Sequence, residues 1–194
     1  MRQLSTAFAA LVLVAGCTGG SPAGTIVTPT PEPSVLEAGK GDVVLSPGTY
    51  YSPLDFVPPL AIDLPAGWSS AHRGDDAFDL GADGVVVVLD TPEGDTVAPA
   101  LAALRAKAPH PTPVTGTLAG QPATGFDVTG GTGSFLTSPS RTIELDLTPD
   151  QRIRVLGADF DGTPLLAVVL VPDGSQWSTA LPKALDLLAH VTPG

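Results

Sequence analysis

Residues 141–171 read RTIELDLTPDQRIRVLGADFDGTPLLAVVLV, and how this stretch pairs with itself decides the fold. Taking Thr148-Pro149-Asp150 as a three-residue turn sets Leu145 opposite Ile153, Asp146 opposite Arg152 and Glu144 opposite Arg154. Apolar then meets apolar and acid meets base, and a one-residue slip ruins both faces. Asp161-Gly162 supplies a second, tighter turn into a strand over Leu165–Val171. An antiparallel meander is the expectation.

Working outward, Leu60, Ile62 and Leu64 alternate with Ala61 and Asp63, the pattern of a half-buried strand that ends at Pro65-Ala66-Gly67. Trp68 opens another strand. The β-branched run Val85–Leu89 follows the turn residues Ala82-Asp83-Gly84 and reads as a strand deep in the sheet. Val97, Leu101, Leu104 and Ala108 recur at helical spacing, with Asp95 or Thr96 as cap, Arg105 and Lys107 in the last turn and Pro109 beyond. A second helix carries Leu181, Ala184, Leu185 and Leu188, and Pro182 in its first turn places its start near Thr179. The class is α+β: an antiparallel β-sheet covered on one face by two helices.

The amino terminus has a different character. Leu4–Gly16 is apolar behind Met1-Arg2, too short to span a bilayer and of the length of a signal-peptide core. It closes on Leu13-Val14-Ala15-Gly16-Cys17, which contains the only cysteine. This pentapeptide resembles the lipobox of bacterial lipoproteins. The resemblance implies a diacylglyceryl thioether on Cys17, cleavage between Gly16 and Cys17, and acyl chains such as palmitate as the membrane anchor. Two or more chains, at about 0.8 kcal/mol per buried methylene, hold stably. Residues 1–16 are then the signal peptide, and 17–47 a lipidated cysteine with a Pro/Gly/Ser/Thr-rich tether. Residues 48–194 form one domain of ordinary size.

Loss of residues 1–16 removes Arg2, leaving 8 basic against 20 acidic residues and a net charge of −12. That field repels phosphate backbones, so nucleic acid is not an expected partner. With Cys17 consumed by the anchor, no disulfide or cysteine metal site is available and the fold rests on its core. The absence of asparagine and the three lysines, Lys40, Lys107 and Lys183, point to a GC-rich, actinobacterial source.

Gly48-Thr49-Tyr50, Phe56-Val57-Pro58-Pro59-Leu60 and Leu64-Pro65-Ala66-Gly67-Trp68 open the domain. Together with the turn Leu118-Ala119-Gly120-Gln121-Pro122 and the closing helix, they resemble small actinobacterial lipoproteins with a PsbP/Mog1-like, LpqN-type α/β sandwich. The resemblance implies an envelope protein that binds a partner or ligand, and it brings no catalytic residues with it.

Candidate chemistry is sparse. Asp159-Phe160-Asp161-Gly162-Thr163 looks like the first motif of haloacid-dehalogenase-type phosphatases, whose paired carboxylates flank a magnesium ion. Only 31 residues follow Thr163, too few for that fold, and a hairpin turn is the reading adopted. His110 between two prolines, His190 near a helix end and His72 form no oriented base. Gly131-Thr132-Gly133-Ser134 lacks the nucleophile-elbow pattern and reads as a loop. Asp75, Asp76, Asp79 and Asp83 lack EF-hand spacing and read as a solvated acidic edge.

The sequence thus predicts a non-enzymatic binding module of the cell envelope, on the extracytoplasmic side, held to the membrane through lipid on Cys17. Its partner is an unidentified envelope protein, and no cofactor or metal is expected. A carrier of an apolar, lipid-like ligand is the alternative and a cryptic hydrolase the third reading. The ligand-binding residues are not identified.

Overall fold

The computed structural model describes residues 34–36, 43–74, 77–138 and 143–194. The chain divides into Met1–Pro31 and Glu32–Gly194, and every described residue lies in the second unit. The lipobox and Cys17 therefore lie outside the described residues.

The first strands are β1 (Ser34–Val35), β2 (Val43–Val44), β3 (Gly48–Tyr51), β4 (Leu60–Leu64), β5 (Ser69–Gly74), β6 (Ala77–Ala82) and β7 (Val85–Asp90). Helix α1 (Ala98–Lys107) follows, then β8 (Thr112–Leu118), β9 (Gln121–Thr129), β10 (Gly133–Ser138), β11 (Ile143–Leu147), β12 (Arg152–Phe160) and β13 (Thr163–Val171). A 3₁₀ turn at Gly174–Gln176 leads into α2 (Trp177–Ala189), and β14 (Val191–Pro193) closes the chain. Two short strands, β1 and β2, thus lie in the stretch that the sequence gives to the tether.

The main sheet has eight strands in the order β2-β5-β6-β7-β13-β12-β9-β8, and a second has four, β1-β3-β4-β14. Strands β10 and β11 form a separate ribbon. Every pairing is antiparallel except β1 with β3. The architecture is broadly α+β and mostly antiparallel sheet, as expected, with more strands than the sequence delimits.

The expected pairing of β11 with β12 does not form. Strand β11 pairs with β10, setting Leu145 opposite Phe135, Asp146 opposite Ser134 and Glu144 opposite Leu136. Strand β12 runs between β9 and β13, with Arg152 between Thr129 and Val171, and Arg154 opposite Asp127. The cause is burial on both sides of β12. Ile153 and Val155 are covered on one face and Leu156, Ala158 and Phe160 on the other, so this strand belongs inside the sheet with a neighbour along each edge. Strand β9, with Ala123, Phe126 and Val128 buried, takes that place beside β12. Arg154 instead makes a two-pronged bond to Asp127, 2.7 Å at each nitrogen.

The tight turn does form. Asp161 and Gly162 have φ of 48° and 83° between the paired residues Phe160 and Thr163, the left-handed geometry of a two-residue hairpin loop.

The two helices lie on opposite faces of the main sheet, which corrects the expectation of one covered face. Ala180, Ala184, Leu187 and Leu188 of α2 pack into the core with Val85, Val87, Leu89, Ala167, Val169 and the four-stranded sheet. Val97 and Leu104 pack with Val88, Ile153, Val155, Leu166 and Val168 on the other side. Period-2 alternation along β7, β12 and β13 feeds both cores, because the middle strands are apolar on both faces. Helix α2 starts at Trp177 rather than near Thr179. Asp173 caps the preceding 3₁₀ turn through the Ser175 N–H, so the chain is already helical there, and Pro182 forfeits only a bond to the exposed Ser178 carbonyl.

Candidate binding groove beside the first helix

Helix α1 is fixed to the sheet at two points. Its first turn has no side-chain cap from Asp95 or Thr96, which the sequence nominated; the Val97 N–H donates to Asp159 Oδ1 at 2.6 Å instead. A carboxylate at this end also suits the helix dipole. Below the first turn lies Gly157, where an added Cβ would stand 2.7 Å from Val97 Cγ2 and 3.0 Å from Leu101 Cδ1. The missing side chain lets α1 settle close to β12.

Seated there, α1 covers the middle of the sheet and stops short of its edge. Between the helix and strands β8 and β9 runs a groove of about 450 Å³, walled by Ala98, Leu101, Ala102 and Arg105 and floored by Pro113, Val114, Thr115, Thr124, Gly125 and Phe126. Small alanines leave the wall open, while Phe126 is buried and closes the floor. Arg105 is the one charged side chain in the lining, and it pairs with no acid among the described residues. The groove can take an apolar body with an anionic or hydrogen-bonding end at Arg105, Thr115 and Thr124.

On the opposite face two cations are engaged by aromatic rings. Arg154 there lies 5.8 Å from the Trp177 ring while bonded to Asp127, and Lys183 lies 5.9 Å from the ring of buried Trp68. The bond to Asp127 raises the Arg154 guanidinium above its ordinary value against the opposing effect of burial. The Ser175 hydroxyl, and then the Ser175 N–H, hold the Asp173 carboxyl below its ordinary range.

The residues singled out for chemistry have separate duties. Asp159 and Asp161 line a concavity of about 270 Å³, yet Asp159 holds the start of α1 and Asp161 sits in the turn. The expectation that both carboxylates belong to the turn is thus corrected for Asp159, which lies within β12 opposite Pro164. His110 follows α1 at φ 48°, and His190 sits at the end of α2, where its Nδ1 lies 2.7 Å from the Asp186 carbonyl. His190, Asp63 and Asp186 border a second concavity of about 540 Å³. The side chain of His72 and all of Asp75 and Asp76 lie outside the described residues. No three His, Cys, Asp or Glu side chains among the described residues group as a metal site. Gly133 and Ser134 begin β10, so only the start of the expected glycine-rich loop is a loop.

Asp79 departs from the expected solvated edge. It is 4% exposed in β6, and Asp90 of β7 is fully buried on the same face of the sheet. Neither is without a partner. Asp79 between Phe78 and Leu80, and Asp90 closing Val85–Leu89, are acids inside apolar strands, a signal present in the sequence. Arg105 was legible only as a favourable last-turn charge, because nothing local shows that strands β8 and β9 lie across from it.

Comparisons with protein-family models, with curated proteins and with solved structures found no match to this chain.

Proposed function

We propose that this protein is a lipid-anchored, non-enzymatic binding domain of the bacterial cell envelope that engages its partner through the groove beside α1. The groove carries the reading: it is apolar, of a size that holds a ligand or a partner's side chains, and it offers an arginine that has no acid partner among the described residues, in a chain of net charge −11. Asp159 is bonded to the first turn of α1 rather than poised for transfer, which speaks against the phosphatase alternative. The anchor rests on Leu13-Val14-Ala15-Gly16-Cys17, and the PsbP/Mog1-like, LpqN-type affinity on the motifs between Gly48 and Trp68. An antiparallel sheet flanked by two helices is compatible with that affinity. Among the described residues no helix is long and apolar enough to cross a membrane.

The apolar lining also favours a second reading, a carrier that lays an acyl chain along Leu101, Pro113 and Phe126. Capture from envelope extract with the tether intact, followed by native mass spectrometry, separates the two. A protein adduct lost on Ala102→Trp supports the interaction module, and a co-purifying acyl lipid lost in the same variant supports the carrier. Unchanged capture by Ala102→Trp places the site elsewhere. For the anchor, Cys17→Ala is expected to leave an unprocessed precursor or to move the chain out of the detergent phase. Wild-type processing and partitioning by the mutant contradict lipidation at Cys17.

A further inference from the structure

The main sheet ends on one side in the two-residue β2 and on the other in the seven-residue β8. The register shows which groups β8 leaves open. Ala119 and Gly120, with φ of 48° and 77°, form a two-residue turn, so Leu118 and Gln121 exchange both backbone bonds. Counting back, Gly116, Val114 and Thr112 direct their N–H and C=O toward β9, and Thr117, Thr115 and Pro113 direct theirs outward. The Asp161-Gly162 turn gives the same result from the other side. It turns Ile153, Val155 and Gly157 toward Val128, Phe126 and Thr124, which leaves Ala123, Gly125 and Asp127 for β8. No strand among the described residues pairs with this edge, which therefore presents two donors, at Thr115 and Thr117, and three acceptors.

Natural sheets blunt such edges with charge, bulges or proline. Strand β8 carries no charged side chain and mates with β9 without a bulge, and its one proline stands at its outer end. We propose that β8 pairs antiparallel with β8 of a second copy across a two-fold axis at Gly116, joining the two main sheets. In that register Thr115 of each copy faces Thr117 of the other. Four backbone bonds form with every donor present, and Pro113 falls beyond the last bonded pair. Gly116 faces Gly116 without side chains between them, and the threonine pairs are favourable cross-strand neighbours. Isologous pairing of this kind closes at two copies.

The net negative charge, −11 for the whole sequence, opposes association and is −12 once residues 1–16 are lost, but β8 itself is neutral and physiological salt screens beyond about 8 Å. The pairing gains from the anchored reading above, because the 17 residue steps from Cys17 to Ser34 reach at most about 60 Å. Two copies on one bilayer thus meet at a raised effective concentration.

The test is disulfide capture on the full chain in its native membrane. Facing residues at an unbonded antiparallel position have Cα atoms about 4.5 Å apart, within disulfide reach. A Cβ at Gly116 meets only Leu156 methyls, at 3.5 and 3.6 Å, so Gly116→Cys is tolerated. Mild oxidant should give Gly116→Cys at least about tenfold more covalent dimer than Thr179→Cys on the exposed side of α2. Adding Thr117→Pro, which removes an outward donor, or Thr117→Lys, which puts charge on the edge while keeping every backbone group, should return the yield to the Thr179→Cys level. Capture no better than at Thr179, or undiminished in both Thr117 variants, overturns the pairing and leaves the edge to another protein or to water. Detergent partitioning of the same samples reports the anchor separately. Crosslinking is scored in whichever fraction holds the chain.

Discussion

On the α2 face of the main sheet, 26 buried apolar side chains form one core among the described residues; on the α1 face, 11 do. The first face is covered by a thirteen-residue helix together with a second sheet, the other by a ten-residue helix and a two-stranded ribbon. Polar groups follow the same division. Arg154 is held by Asp127 under Trp177, whereas Arg105 lines an open groove. One sheet thus has a broadly covered face and a face left partly open, and the difference arises from where the cover stops.

Truncation in the two cores gives the largest contrast. Leu188 and Leu104 are both fully buried, but Leu188 lies between two sheets, where little can move into the space it leaves. Leu188→Ala is expected to cost about 4 kcal/mol and Leu104→Ala about 2–3 kcal/mol, read by urea unfolding. Equal losses would break the distinction between a sealed and an open face.

Filling the seat of α1 comes next. Gly157→Ala pushes a methyl against Val97, Leu101 and Leu166 and should cost about 1–3 kcal/mol. Hydrogen exchange should rise in α1 and stay unchanged in α2. Faster exchange in both helices would mean that the two faces do not act separately.

The smallest pair separates two neighbouring aspartates. Asp159→Asn weakens the bond to the Val97 N–H and removes charge from the start of α1, an expected loss of about 0.5–1 kcal/mol. Asp161→Asn should change stability by less than about 0.5 kcal/mol, since asparagine before glycine suits the same turn. A larger effect at Asp161 than at Asp159 would reverse their assigned roles.

Where a local rule sufficed, the sequence was readable. The turn at Asp161-Gly162, the alternation over Leu60–Leu64 and the buried run Val85–Leu89 all stand as expected. The pairing of β11 with β12 satisfied local charge and hydropathy and still lost, because Arg154 found Asp127, 27 residues earlier, and β12 had to be covered along both edges. Long-range pairing of that kind leaves no mark within the strand itself. The start of α1 was misread for a related reason: its cap comes from the far end of β12. The groove was legible only as a run of alanines on α1, which fits close packing as well as it fits a cleft.

Site-specific photocrosslinking in the native membrane tests the proposal that the partner binds on the α1 face. A benzophenone side chain replacing exposed Ala102 in the groove should give adducts that Arg105→Glu strongly reduces. The same group replacing exposed Thr179 on α2 should give none above background. Adducts at Thr179 with none at Ala102 would place the partner on the α2 face instead.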